Sequence, residues 1–309
     1  MTEVLEQTAY RVKAGEIFGQ QRRPVGVEPV KRVLLLHGWQ DNSNSYVNLI
    51  PLLPKNWWIV AIDWPGHGHS SPRGPGAAYH ITDWLVDLRE VVNVLQWQKF
   101  TLIGHSMGAG VALMYGALFP EEVEAVVALD VIKQLSEPAG TTHKVLRNAI
   151  MTLADHNQKT VAPQKPEIMS KNQVEQWWHG QSKAFMNEQS AAKILERGMR
   201  QNSGTTADEH LINRDSRLTF PPLFRMHLDQ HRNVLKELKC DLLIIKAAGA
   251  QNYESPEVEK EFKDMYQKNC SHFAYIVVDG LHHVHLDRPE TVAPVIVDFL
   301  EHRPIKNSH

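Results

Sequence analysis

A chain of 309 residues, 42% apolar and 22% charged, is long enough for one large globular domain with an insertion. Its formal net charge of −2 gives no reason to expect nucleic acid or an anionic membrane as a partner. Two cysteines, Cys240 and Cys270, cannot form a disulfide framework and suit a reducing compartment. The first sixteen residues are polar and lack the apolar core of a signal peptide. No stretch approaches the roughly 20 apolar residues that a membrane-spanning helix needs. The expected location is cytoplasmic, with an organellar lumen such as the peroxisome as the alternative. Asn269-Cys270-Ser271 matches a glycosylation sequon and, with no secretion signal, reads as chance.

Residues 10–20 alternate well enough to predict two short strands around Gly15. Residues 32–36 (RVLLL) form an apolar strand that ends in His37-Gly38-Trp39-Gln40-Asp41, and residues 44–53 look helical up to Pro54. A buried strand at 57–62 runs into Asp63-Trp64-Pro65-Gly66-His67-Gly68-His69-Ser70. The apolar spacing of Trp84, Leu85, Leu88, Val91, Val92 and Leu95 predicts a helix over 81–96, capped by Thr82 or Asp83. A strand at 100–103, the turn Gly104-His105-Ser106-Met107-Gly108, a helix at 109–119 and a strand at 123–129 follow, the last ending at Asp130. Strand, loop and helix recurring at short spacing predict an α/β fold, a mostly parallel sheet with helices on both faces.

The alternation stops between 133 and 238, where helical patterns (143–155, 171–178, 188–201, 230–238) appear without a clear buried strand. An insertion after a strand of a parallel sheet lies over the strands' C-terminal ends, where ligands bind in open α/β folds. The expected organisation is therefore a catalytic domain made of 1–132 and 239–309, with a helical cap at 133–238. Trp177, Trp178, Phe185, Met186, Phe220, Phe224 and Met226 are candidates to line a pocket under the cap or to form its own small core. The α/β pattern resumes with strands at 241–245 and 273–278, a helix at 256–267, the run Gly280-Leu281-His282-His283-Val284-His285, and a last helix from Pro289.

The chemistry gathers at GHSMG. A serine flanked by glycines two residues away, at a strand-to-helix turn, is the nucleophile-elbow pattern. The glycines relieve a turn too tight for side chains at 104 and 108. A serine hydroxyl needs a base within hydrogen-bond reach, best a histidine oriented by a carboxylate. The elbow's chain order of serine, acid, histidine puts that base on a late loop, and His282, His283 and His285 all qualify. The N–H of Met107, directly after the nucleophile, is one oxyanion donor; the second should come from the HGW loop.

HGWQD, DWPGHGHS, GHSMG and GLHHVHLDRP together resemble the successive signature loops of the α/β-hydrolase superfamily. The HGW-x-D-N loop, DWPGHGHS and Arg214-Asp215-Ser216-Arg217-Leu218 are similar to the serine hydrolase-like (kraken-like) branch, with Ser216 where a proline is usual. The resemblance implies the N–H of Trp39 as second oxyanion donor. It implies His282 as catalytic histidine, because that residue stands seven before Pro289. The usual place for the acid, just beyond residues 242–245, carries Lys246-Ala247-Ala248-Gly249-Ala250-Gln251-Asn252-Tyr253-Glu254 and no Asp. Asp130 is therefore the first choice for the acid, by resemblance to members that supply it from the earlier strand, and Glu254 is the alternative. His37, His105, His67 and His69 are expected to shape loops.

The resemblance implies a cofactor-free serine hydrolase, of carboxylesterase type, acting on a small ester, and the cap aromatics lead us to expect an apolar one. A hydroxyl nucleophile at 106 argues against haloalkane dehalogenases and epoxide hydrolases, which need a carboxylate there. A catalytically silent binding protein and a cofactor-free lyase or oxygenase are the competing readings. His283-Val284-His285-Leu286-Asp287 also matches an H-x-H-x-D metal pattern, although Arg288 stands where a further histidine is usual.

Overall fold

Successive residues of the central strands point to opposite sides of the sheet, and both sides are apolar. In the computed structural model, which describes residues 5–13, 15–137, 140–160, 169–202, 209–220 and 222–301, that double burial organises the molecule. Strands β1 (Glu6–Val12) and β2 (Gly15–Arg22) form an antiparallel hairpin, with Gly15 at φ 127°. Then come β3 (Lys31–Leu36) and β4 (Trp57–Ile62), joined through two 3-10 turns, Ser43–Tyr46 and Ile50–Leu52. The helix expected at 44–53 is thus two short pieces. Asn42 caps the first by accepting from Asn44 N–H, and Pro51 opens the second.

Helix α1 (Ile81–Leu95) starts with Asp83 reaching back to accept from His80 N–H at 3.1 Å. Asp83 therefore caps from the third helical position and not from before the helix. Strand β5 (Phe100–His105), helix α2 (Met107–Leu118) and strand β6 (Val123–Leu129) follow. Between β6 and the next sheet strand lie α3 (Thr142–Thr160), α4 (Lys171–Ser182), α5 (Glu188–Gly198), β7 (Met199–Gln201), β8 (His210–Ile212) and α6 (Leu228–Leu235). The chain closes with β9 (Asp241–Ala247), α7 (Pro256–Asn269), β10 (Phe273–Val278), the single turn α8 (Val284–Asp287) and α9 (Pro289–Glu301).

The main sheet has eight strands in the order β1-β2-β4-β3-β5-β6-β9-β10, antiparallel at the β1-β2-β4 edge and parallel from β4 to β10. Leu34, Leu36, Leu102, Val126 and Ile244 face one core, shared with Leu88 of α1, Leu113 of α2 and Phe262 of α7. Val33, Leu35, Ile103, Val127 and Ile245 face the other, shared with Tyr46 and with Ile296 and Phe299 of α9. Neighbouring residues on each strand serve opposite cores, which is why these strands read as continuous apolar runs.

Two features of the inserted segment differ from expectation. Residues 199–201 leave the helical pattern and pair antiparallel with β8 in a two-stranded ribbon. Helix α6 packs on α2 and, with the residues after it, buries Leu235 and Leu238 in the main core. Physically it belongs with the body of the molecule, although it lies inside the expected 133–238 cap. Helices α4 and α5 form a separate small cluster in which Met186, Ala191 and Ile194 pack with Leu286 of α8. No helix among the described residues is long and apolar enough to cross a membrane.

Candidate active site

Ser106 links β5 to α2 at φ 51°, ψ −117°, a region that costs a non-glycine residue on the order of 1–3 kcal/mol. The strain is held by the sheet and helix: Ser106 N–H donates to Leu129 O at 3.1 Å, and Ser106 O accepts from Gly110 N–H at 3.1 Å. A Cβ on Gly104 would stand 2.4 Å from Gly108 O, and one on Gly108 would stand 2.1 Å from Leu36 O on β3. Backbone, which cannot swing away, is what both would strike, so the two glycines let helix, turn and strand close up.

Asp130 follows β6 directly, and its N–H still joins the ladder by donating to Ile245 O at 2.8 Å. Its Oδ2 meets His282 Nδ1 at 2.5 Å, and its Oδ1 accepts from Ala247 N–H (2.9 Å) and Lys246 Nζ (2.7 Å). Burial alone would raise the Asp130 carboxyl; the hydrogen bonds from His282 and Lys246 outweigh it and hold the group below its ordinary range. A carboxylate on Nδ1 fixes that nitrogen as the N–H and leaves the lone pair on His282 Nε2. Glu254 stands elsewhere, accepting from Lys133 Nζ at 2.5 Å. The structure thus brings Asp130 and His282 together and engages Glu254 with a different cation. The last two residues of β9 supply donors to Asp130, and the loop beyond them has no Asp.

Ser106, His282, Trp39 and Met107 all line one cavity of about 460 Å³. Met107 opens α2, whose first N–H groups have no acceptor within the helix. Trp39 follows Gly38, where an added Cβ would come 3.2 Å from Ser106 Cβ. The HGW loop is tied down by His37, whose Nε2 accepts from Trp64 N–H at 2.9 Å, and burial lowers the pKa of that imidazole. Gln40, at φ 64°, donates its N–H to His67 Nε2 at 3.1 Å. Burial also pushes His67 well down, so both rings serve this loop as neutral imidazoles. His69 shapes the same turn through its backbone, donating N–H to Asp63 Oδ2 at 2.9 Å.

The walls opposite the elbow come from the inserted segment. Trp178, Phe185, Met186, Phe224 and Met226 line the cavity, together with Tyr79, Ile81 and Trp84 of the body. Trp177 instead stays partly exposed beside Trp178, and Phe220 lines a smaller neighbouring pocket. The segment 214–218 is a clamp. Arg214 Nη1 donates to Gln40 Oε1 at 2.7 Å, Asp215 N–H donates to Gly66 O at 2.8 Å, and Gln40 Nε2 donates to Leu218 O at 3.0 Å. A second tie is buried: Arg197 Nε, at the end of α5, meets Asp63 Oδ2 at 2.7 Å.

The residues of the H-x-H-x-D pattern go three ways. His283 Nε2 meets Asp41 Oδ2 at 3.0 Å, His285 Nε2 meets Ser45 Oγ at 2.8 Å, and Asp287 accepts from Asn187 N–H at 3.2 Å. His283 instead gathers with Asp41 and His105, whose ligand atoms all lie within 4.8 Å of one another. Asp41, Lys246 and Arg197 have no role assignable from the sequence, because each acts on a partner far along the chain.

Residues 31–167 match the family model for the alpha/beta hydrolase fold. A serine hydrolase-like protein of Danio rerio is 35% identical over 93% of this chain and 86% of its own length. Serine hydrolase-like protein 2 of Homo sapiens is 32% identical over 87% of this chain and 86% of its own length. The chain belongs to the serine hydrolase-like family of the α/β hydrolase fold. Among solved structures, a hypothetical protein of Pseudomonas aeruginosa PAO1 superposes with a TM-score of 0.81 at 25% identity, covering 96% of this chain and 99% of that one. A thioesterase domain from the curacin biosynthetic pathway superposes at 0.75, over 96% of this chain and 100% of that one, and at 18% identity speaks for the fold alone. For this member of the serine hydrolase-like family, fold and family agree with the loops from which the resemblance was drawn.

Proposed function

We propose that the protein is a serine hydrolase that cleaves carboxylic esters of a small apolar substrate through an acyl-enzyme on Ser106. The observation that carries this reading is the 2.5 Å contact between Asp130 and His282 at the cavity that the elbow serine lines. Ser106 Oγ attacks the carbonyl while His282 Nε2 takes its proton. Asp130 remains ionised, keeps the imidazole in the right tautomer and stabilises the imidazolium. The N–H groups of Met107 and Trp39 receive the oxyanion. As the tetrahedral intermediate collapses, His282 passes the proton to the departing alkoxide. Water then attacks the acyl-enzyme by the same steps and frees Ser106. Within the segment 133–238 the part before α6 acts as the cap, and its aromatic and methionine side chains favour an apolar acyl or aryl group.

A fluorophosphonate probe tests the reading, since it phosphonylates an activated serine without needing the true substrate. Wild-type protein should label stoichiometrically and Ser106→Ala should not. Folded wild type that fails to label overturns the hydrolase reading and favours a silent binding protein.

A further inference from the structure

Beneath the HGW loop, two buried imidazole nitrogens converge on Asp41 Oδ2, which also accepts from Ser45 Oγ at a long 3.4 Å. His105 Nε2 lies 2.9 Å from His282 O, and a carbonyl only accepts, so the proton of a neutral His105 is on Nε2. That leaves a bare lone pair on Nδ1, which has no hydrogen-bond partner and stands 3.6 Å from Asp41 Oδ2. His283 Nδ1 lies 3.3 Å from Phe185 O, which by the same argument puts the lone pair of neutral His283 on Nε2, 3.0 Å from the same Asp41 Oδ2. All three side chains are at least nine-tenths buried. Two imidazole lone pairs and a carboxylate converging in a buried place repel one another unless a cation joins them.

We propose that Asp41, His105 and His283 form a binding site for a divalent transition-metal ion of the zinc class. Two imidazole nitrogens and one carboxylate oxygen are a donor set such ions favour. Metal–ligand bonds of about 2.0–2.1 Å at tetrahedral angles put neighbouring ligand atoms roughly 3.3 Å apart. The two separations from Asp41 Oδ2, 3.0 and 3.6 Å, bracket that value, and the two imidazole nitrogens lie within 4.8 Å of each other. Both rings give their other nitrogen to a backbone carbonyl, the outer contact that fixes a ligating histidine's tautomer. All three residues also line the cavity, so the fourth position faces its interior and a water can fill it. The ion would join three loops: the HGWQD turn, the residue before Ser106 and the residue after His282. The H-x-H-x-D pattern marks one of the ligands, His283, but not the set. The site rests on these atoms and not on the proposed reaction.

The competing occupant is a proton on His283, which would give a plain ion pair with Asp41. Metal-stripped wild-type protein should be titrated with Zn²⁺ by calorimetry and with Co²⁺ by visible absorption. One ion per chain is expected, with the intense bands of four-coordinate cobalt. His105→Gln and His283→Gln should each weaken binding by at least ~100-fold, while Asp287→Asn leaves it unchanged. Binding that survives both histidine substitutions places the ion on other histidines and overturns the site. Failure to take up any ion does the same and leaves the proton as occupant. Should either variant not fold, anomalous scattering from a zinc-soaked crystal of the wild type decides: a peak within bonding distance of the three atoms supports the site, and its absence overturns it.

Discussion

At the scale of single residues, the carboxylate that meets His282 carries the largest consequence. Asp130 bonds His282, Lys246 and the Ala247 N–H at once, whereas Glu254 bonds Lys133. Asp130→Asn should therefore lower kcat for an activated ester by about 10⁴, because the amide disturbs the tautomer that leaves Nε2 free. Glu254→Gln should cost far less, since it disturbs only the pair with Lys133. Steady-state turnover of both variants checks this, and equal mild losses would sink Asp130 as the acid. That choice was only half legible beforehand. The sequence shows the missing Asp after β9 and shows both candidates. It cannot show that Asp130 N–H continues the ladder onto Ile245 O, which is what holds the residue at the mouth of the sheet.

At the scale of elements, the inserted segment is fastened to the body by a few buried polar contacts. Arg197 makes two of them, with Nε on Asp63 at 2.7 Å and Nη1 on Gln7 Oε1 of β1 at 2.7 Å. Asp63 also accepts from Ser43 N–H and His69 N–H, so the carboxylate organises two loops of the site. Arg197→Met strands that buried charge and should cost roughly 3 kcal/mol, the lower end for breaking such a pair because the two backbone donors remain. Urea denaturation measures it; an unchanged midpoint would show that the contact fastens nothing. Elements of strong period were legible: the parallel strands are unbroken apolar runs, and Trp84, Leu88 and Val91 mark one face of α1. The 3-10 turns at 43–52 were not, because their apolar residues mimic a helix that Pro51 prevents. Nor was the β7–β8 ribbon, which consists of two three-residue strands whose pairing is tertiary.

At the scale of the whole molecule, burying so many histidines makes stability depend on pH above the range of carboxylates. His37 and His67 are lowered chiefly by burial, and His231, buried beside Lys133, is lowered to about 4. Asp63 and Asp41 pull His37 upward and Arg197 pushes it down, but burial prevails. Each of these rings is neutral when folded and takes up a proton near pH 6.5 when unfolded. Between the two pKa values the unfolded chain binds more protons, so stability is fully present above about pH 6.5 and is lost as pH falls toward the folded values. The limiting slope is about 1.4 kcal/mol per pH unit for each group. Asp130, held below its usual range, adds its own loss only below about pH 3.9. In the metal-free chain His283 runs the other way, because Asp41 raises it against the effect of burial, and there it offsets part of the trend. Asp87, whose carboxyl burial raises to about 6, takes up its proton in the folded state within the same window and offsets another part of the trend. The melting temperature should therefore begin to fall between pH 6.5 and 4.5 as the net effect of the buried rings, and His231→Gln should flatten that limb. A melting temperature constant down to about pH 4.5 would mean that these rings reach solvent and charge freely in the folded protein.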